Sequence, residues 1–127
     1  MLPNTVLGMN EVEVLKENDQ DLRIYFNGPT DQLKSMVTGN MILMPGMSPH
    51  PPHRHPEEEF MWVTQGSGEI LVEDKTYQVA AGSVMYCAGN YWHAITNTGT
   101  EPMIFYFSKW LAKTGLAEAS LTEAGRP

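Results

Sequence analysis

The sequence predicts an all-β domain, a sandwich or closed barrel. Two observations carry this expectation. Short apolar stretches recur at roughly ten-residue spacing, each bounded by Gly, Pro, Asn or Asp, the punctuation of antiparallel strands. The longest interruption, 45–56, holds Pro49, Pro51, Pro52 and Pro56. Proline removes an amide donor and fixes φ, so this segment cannot be helical.

The elements follow in order. Val12 to Leu15 opens the series, flanked by Glu11, Glu13 and Lys16. The polar turn Glu17 to Gln20 leads into a strand over Leu22 to Phe26. A longer strand runs from Leu33 to Met44, with Gly39 and Asn40 as a bulge or turn within it. Beyond the prolines the chain reads as a strand over Glu59 to Thr64, turns at Gln65 to Gly68, and returns over Glu69 to Glu73. Asp74 and Lys75 turn it into Thr76 to Ala80. Gly82 leads into Val84 to Cys87, and Gly89-Asn90 turns the chain into Trp92 to Thr96. Met103 to Trp110 is a last, strongly aromatic strand. In the tail, 111–127, only about Thr114 to Glu123 reads as helical, with Leu116 and Leu121 placed to cover a barrel end; fraying is the alternative. There is no internal repeat and no linker, so residues 1–127 are expected to form one domain, its first strands lying within 1–30.

Composition narrows the function. The formal net charge of −7 argues against nucleic acid and anionic membranes, which call for basic patches. No apolar run is long enough to span a membrane. The first ten residues carry no basic residue and no long apolar stretch, which argues against a secretory signal, and the expected home is cytoplasmic. Cys87 stands alone, so no intrachain disulfide is expected; it reads as a small buried hydrophobe. The nine methionines read chiefly as core filling.

The chemistry concentrates in GMSPHPPHRHPEEEFMWVTQG, Gly46 to Gly66. His53, His55 and Glu59 share one parity, and in an extended chain equal parity means one face. Two imidazoles and a carboxylate converging on one point make a metal-ligand arrangement. A second segment, GSVMYCAGNYWHAITN, Gly82 to Asn97, places His93 beside a turn, where a neighbouring hairpin of a barrel would deliver a fourth ligand. Glu58 has the wrong parity and Glu57 lies close to the Pro56 turn, which favours Glu59 of the three glutamates. His50, in the loop feeding the site, reads as exposed and idle, with a proton shuttle as the alternative.

These two segments, 46–66 and 82–97, resemble the two motifs of the cupin superfamily, and the chain is similar to a small single-domain member. The first motif is Gly, five residues, His-x-His, three or four residues, Glu, six residues, Gly. Gly46 lies one residue further from His53 than this, while His55, Glu59 and Gly66 keep the spacing. The second motif is Gly, five residues, Pro-x-Gly, two residues, His, three residues, Asn, and Gly82, His93 and Asn97 match it. Ala88 stands where proline is usual and Asn90 where glycine is usual, so the departures concern the turn and not the ligands. The resemblance implies a double-stranded β-helix, or jelly roll, holding one divalent transition ion on His53, His55, Glu59 and His93. Three imidazoles and a carboxylate suit Mn, Fe, Co, Ni, Cu or Zn and do not choose among them.

Parity also nominates a pocket. Met61 and Val63 follow Glu59, Tyr91 and Ile95 flank His93, Phe105 and Phe107 share a face of the last strand, and Met44 lies just ahead of the site. No lysine or arginine is clearly placed in this shell, and Arg54, between two ligands, points away. The expected substrate is therefore a small, mostly apolar molecule that chelates the ion. The expected function is a metal-dependent enzyme, of dioxygenase type first and isomerase, decarboxylase or lyase next. The alternative is a non-catalytic protein that binds or senses a small ligand through its metal. The resemblance also implies a homodimer.

Overall fold

The computed structural model describes residues 2–114; the expected helical tail lies outside the described residues. A short 3₁₀ turn, Met9–Glu11, precedes nine described strands. They are β1 (Leu15–Glu17), β2 (Gln20–Asn27), β3 (Leu33–Leu43), β4 (Glu58–Gln65), β5 (Ser67–Val72), β6 (Lys75–Ala80), β7 (Val84–Cys87), β8 (His93–Thr96) and β9 (Met103–Ala112). From β2 onward the boundaries fall within two residues of those read from the sequence.

Two differences are informative. The first strand begins at Leu15 rather than Val12, because the Val12 amide is drawn back to the Met9 carbonyl and closes the 3₁₀ turn. The β1–β2 hairpin is then fixed by Asn18 and Asp19, both left-handed with φ of 52° and 64°, the requirement of a two-residue hairpin loop. Gly39 and Asn40 make no turn: β3 runs through them, and the irregularity sits on the partner strand, between Ile24 and Phe26. Glycine is needed at 39 because a Cβ there would overlap the Arg23 carbonyl and crowd the Phe107 ring.

The strands form a six-stranded sheet, β1-β2-β3-β9-β4-β7, facing a three-stranded sheet, β6-β5-β8. Every pairing is antiparallel. The fold is the all-β double-stranded β-helix, a jelly roll. No helix among the described residues is long and apolar enough to cross a membrane.

Register organises the inner face of the larger sheet into rows about 7 Å apart, two residues along each strand. Leu43 lies opposite Met103; then Met41, Phe105 and Val63 share a row; then Gly39, Phe107, Met61 and Met85. The last row is Val37, Lys109, Glu59 and Cys87. Exposure rises along this axis, from 0% at Leu43 and Met103 to 8% at Phe107, with Lys109 half-buried. The barrel is therefore closed by hydrocarbon at one end and carries its polar groups toward the other.

Candidate metal centre

The local chain dictates where the donors stand. His53 and His55 lie two apart in the Pro-rich segment, and Glu59 is the second residue of β4. His93 opens β8. A backbone bridge joins the two halves: the His53 amide donates to the His93 carbonyl at 3.1 Å and the His93 amide donates to the His53 carbonyl at 3.0 Å. The Asn90 amide donates to the His55 carbonyl at 2.7 Å. Asn90 takes the left-handed conformation, φ 68°, so asparagine keeps the turn that glycine usually makes. Gly89 lies against the Pro56 carbonyl, where a Cβ would collide. Asn97 braces the opposite side, its buried amide donating to the Leu43 and Glu101 carbonyls at 2.9 and 2.8 Å.

Four donor atoms, one each from His53, His55, Glu59 and His93, lie within 4.8 Å of one another. Glu59 Oε1 is 3.0 Å from His55 Nε2 and 3.1 Å from His93 Nε2, and His53 Nε2 is 3.1 Å from His93 Nε2. Two donors held at right angles about 2.1 Å from a shared ion stand about 3 Å apart, so these edges suit a common ion. Two of the three rear nitrogens are already occupied. His55 Nδ1 and His93 Nδ1 each lie 3.1 Å from a carbonyl, of Glu57 and Tyr91 respectively. Donating there leaves each Nε2 lone pair facing inward. The Cys87 sulfur lies 3.4 Å from His93 Nδ1, and burial, with the charges of Glu59 and Glu73, pushes its thiol up, so it stays protonated.

Electrostatics favour a ready donor set. Burial holds His53 down to about 4, helped by the neighbouring His50, His93 and His55. For Glu59 burial acts upward, but the His93 hydrogen bond and the charges of His93, Lys109 and His55 outweigh it and keep the carboxyl below its usual range. A neutral imidazole at His53 and an ionised Glu59 are the forms that ligate a dication, so these two donors need give up no proton first. The residues fit a divalent transition ion. Of the adjacent glutamates, Glu58 turns to the outer face and accepts from the Tyr86 hydroxyl at 2.7 Å, and Glu57 flanks His55 Nδ1 at 3.3 Å. Only Glu59 enters the cluster.

A cavity of about 260 Å³ opens beside the donors. His53, Glu59, Met61, Phe105, Phe107 and Lys109 form one side, and Leu22, Ile24, Val37 and Met41 of β2 and β3 form another. Three of the nominated pocket residues therefore line it. Val63 and Ile95, each 1% exposed, sit in the sealed core instead. Met44 and Tyr91 are 50% and 49% exposed and lie outside the cavity, and Tyr91 serves the site only through its carbonyl. Arg54 points away, its guanidinium 5.1 Å above the Trp92 ring.

Two readings need correction. His50 is not idle in solvent: it is half-buried, lines the cavity and stacks on His53 with ring centres 3.7 Å apart. The shell is not free of cations, because Lys109 enters the wall from β9. The signal was present, since Lys109 continues the parity of Phe105 and Phe107.

Comparison with known proteins agrees with this architecture. The family model of the cupin domain, Cupin_2, matches residues 39–109. A protein named polyketide synthase CurC, from Streptomyces cyaneus, is 29% identical over 122 residues, covering 94% of this chain and 78% of its own. The cupin domain of Schizosaccharomyces pombe Cnp3 superposes with a TM-score of 0.70 at 16% identity, covering 91% of this chain and 78% of that one. A predicted oxalate decarboxylase from Thermotoga maritima gives 0.67 at 21% identity, covering 84% and 99%. The structural likenesses, at such identities, speak for the fold alone, while the matched span includes all four donors. The chain belongs to the cupin domain family.

Proposed function

We propose that this cupin is a metal-dependent enzyme whose small, largely apolar substrate binds the ion through one or two oxygens. Dioxygenase-type oxidation is the first chemistry to test, with isomerase, decarboxylase or lyase chemistry next. The observation that carries the proposal is the join between donor set and cavity: His53 and Glu59 belong to the same wall as Met61, Phe105 and Phe107. A ligand in this space therefore touches hydrocarbon and the ion together. The volume lies just below the usual span of ligand pockets, roughly 300–1,000 Å³, which restricts the substrate to a small molecule.

The bound ion would supply Lewis acidity and, if redox-active, electrons for dioxygen chemistry. The chain's own residues do the rest. His53, His55, Glu59 and His93 hold the ion, and the Glu57 and Tyr91 carbonyls orient two of the imidazoles. Phe105, Phe107 and Met61 exclude water and grip an apolar body. The similarity to a protein named as a polyketide synthase supports a 1,3-dicarbonyl or phenolic substrate, since polyketide chains carry repeated 1,3-dicarbonyl units and such units chelate through two oxygens.

The test is elemental analysis of protein purified without added metal, followed by oxygen uptake with 1,3-diketones, catechols and thiols. Iron, manganese, nickel or copper at one per chain, with uptake on a chelating substrate, supports the oxygenase reading. Zinc alone with no uptake on any of them rules it out and moves the search to hydrolytic and isomerising reactions. The same proposal includes a homodimer. The outer face of the larger sheet carries Phe60 clustered with Tyr86 and Trp110 at ring distances of 5.7 and 5.4 Å, a surface suited to a second copy, and sedimentation of wild type against Phe60→Lys checks it.

A further inference from the structure

Among the described residues, Lys109 is the one lysine or arginine in a cavity wall that mixes hydrocarbon with polar groups; the wall's second glutamate, Glu17, pairs with Gln20 at the end of β2 far from Asn27. Lys109 follows Phe105 and Phe107 on the inward face of β9 and stands opposite Val37 on β3 and Glu59 on β4. Asn27 extends the same row on β2, and its exposure places it at the rim. Lys109, Asn27, Val37 and Glu59 all line the cavity.

Among the described residues the Lys109 ammonium makes no ion pair. Its cross-strand neighbour Glu59 feels the lysine's charge but makes no hydrogen bond to it, and Glu59 Oε1 is shared between His55 and His93. The Lys109 side chain is half-buried in the wall beside Phe107 and Val37 and its ammonium has no fixed partner, so a ligand that brings an acceptor gains a contact there. A carboxylate entering the cavity would provide that acceptor, and the contact would be a charge-assisted hydrogen bond in a partly dry site. The donor set alone would hold a ligand by its chelating oxygens and leave its far end undirected. A cation one row position from Glu59 fixes that far end.

We infer that Lys109, with the Asn27 amide at the rim, forms a carboxylate subsite, so that the substrate is a chelating molecule with an apolar body and a separate carboxylate. This rests on the reading that the substrate chelates the ion at His53, His55, Glu59 and His93. It alters the substrate class, since an apolar chelator lacking an anion would leave Lys109 unused.

Three probes that share one catechol chelating unit test it on zinc-loaded protein, where no oxidation interferes: catechol, 3,4-dihydroxybenzamide and 3,4-dihydroxybenzoate, each titrated calorimetrically against wild type and variants. Wild type should bind the benzoate about tenfold more tightly than the benzamide, the scale of one charge-assisted hydrogen bond. Lys109→Met should reduce that preference to about one, and Lys109→Arg should restore much of it. Asn27→Ala should reduce it by a smaller factor, and zinc content should stay at one per chain throughout. A preference that survives in Lys109→Met, or is missing from wild type that binds catechol, overturns the carboxylate subsite alone. Loss of zinc in Lys109→Met, with all three probes weakened together, also overturns it, because the lysine would then serve only Glu59. Zinc-loaded wild type that binds none of the probes overturns the chelation reading and the subsite with it.

Discussion

The two ends of β9 present the same face of one strand to two different environments. Met103, 0% exposed, is sealed between the sheets against Leu43. Phe107 and Lys109, farther along the same face, border an open cavity with the metal donors across from them. Alternation is identical at both ends, so parity does not distinguish them. The difference comes from the row: Met103 meets Leu43, whereas Lys109 meets Glu59. Strand alternation sets which way a side chain points, and sheet register decides whether it points into core or into chemistry.

That contrast can be broken by substitution at either end. The largest effect is expected at the donor end. His53→Ala should cost more metal affinity than the 10–100-fold typical of outer-shell changes, bringing zinc or nickel well below one per chain after dialysis. A His53→Ala variant that kept stoichiometric metal would remove His53 from the site. At the sealed end, Leu43→Ala should destabilise the protein by about 2–5 kcal/mol in denaturant titration, through lost burial and a residual cavity. Its metal content should not change, and if it falls as in His53→Ala the two ends are one unit.

Acidification sharpens the same comparison. His53 carries a proton less readily when folded, about 4 against 6.5 for the free side chain. As pH falls from 6.5 toward 4 the unfolded chain takes up a proton that the folded chain refuses, so stability declines across that window. Glu59, held below its usual value, adds a loss in the same direction at the acidic end. Metal-free wild type should therefore show a falling melting temperature between pH 6.5 and 4, and the slope should flatten in His53→Ala. The smallest effect belongs to the outer surface. The Tyr86 hydroxyl is pushed up to about 12, first by its hydrogen bond to Glu58. Tyr86→Phe should cost no more than about 1 kcal/mol, because an exposed hydrogen bond exchanges for water, and metal content should be unaffected.

Much of this molecule was legible in the sequence, for reasons the rows explain. Turn residues and proline placed the strands, since they act locally. His53, His55 and Glu59 were legible because period-two alternation is also local, and His93 because its turn lies close by. Depth was not legible. Val63 has the parity of Met61, yet two residues further along β4 it is 1% exposed and belongs to the sealed core. Met44 lies beyond the last paired residue of β3 and faces solvent. Lys109 was missed for the complementary reason: a charged residue near a chain end reads as solvated surface until pairing shows what lies across from it. His50 depended on a ring stack with His53 that no strand period encodes.

The reciprocal hydrogen bonds between His53 and His93 also bear on how an ion would reach the four donors. They join residues 40 apart in sequence, a closure whose entropic cost is roughly 3 kcal/mol for a flexible chain. Here that closure belongs to the sheet and is met when the barrel folds. An ion bound at this site would then arrive at a seat already closed by the backbone. Loading and exchange can then proceed on the native protein, so a chain stripped by chelator should refill with a different divalent ion without denaturant. A metal held this way would be a record of cellular supply at the time of loading, open to later revision.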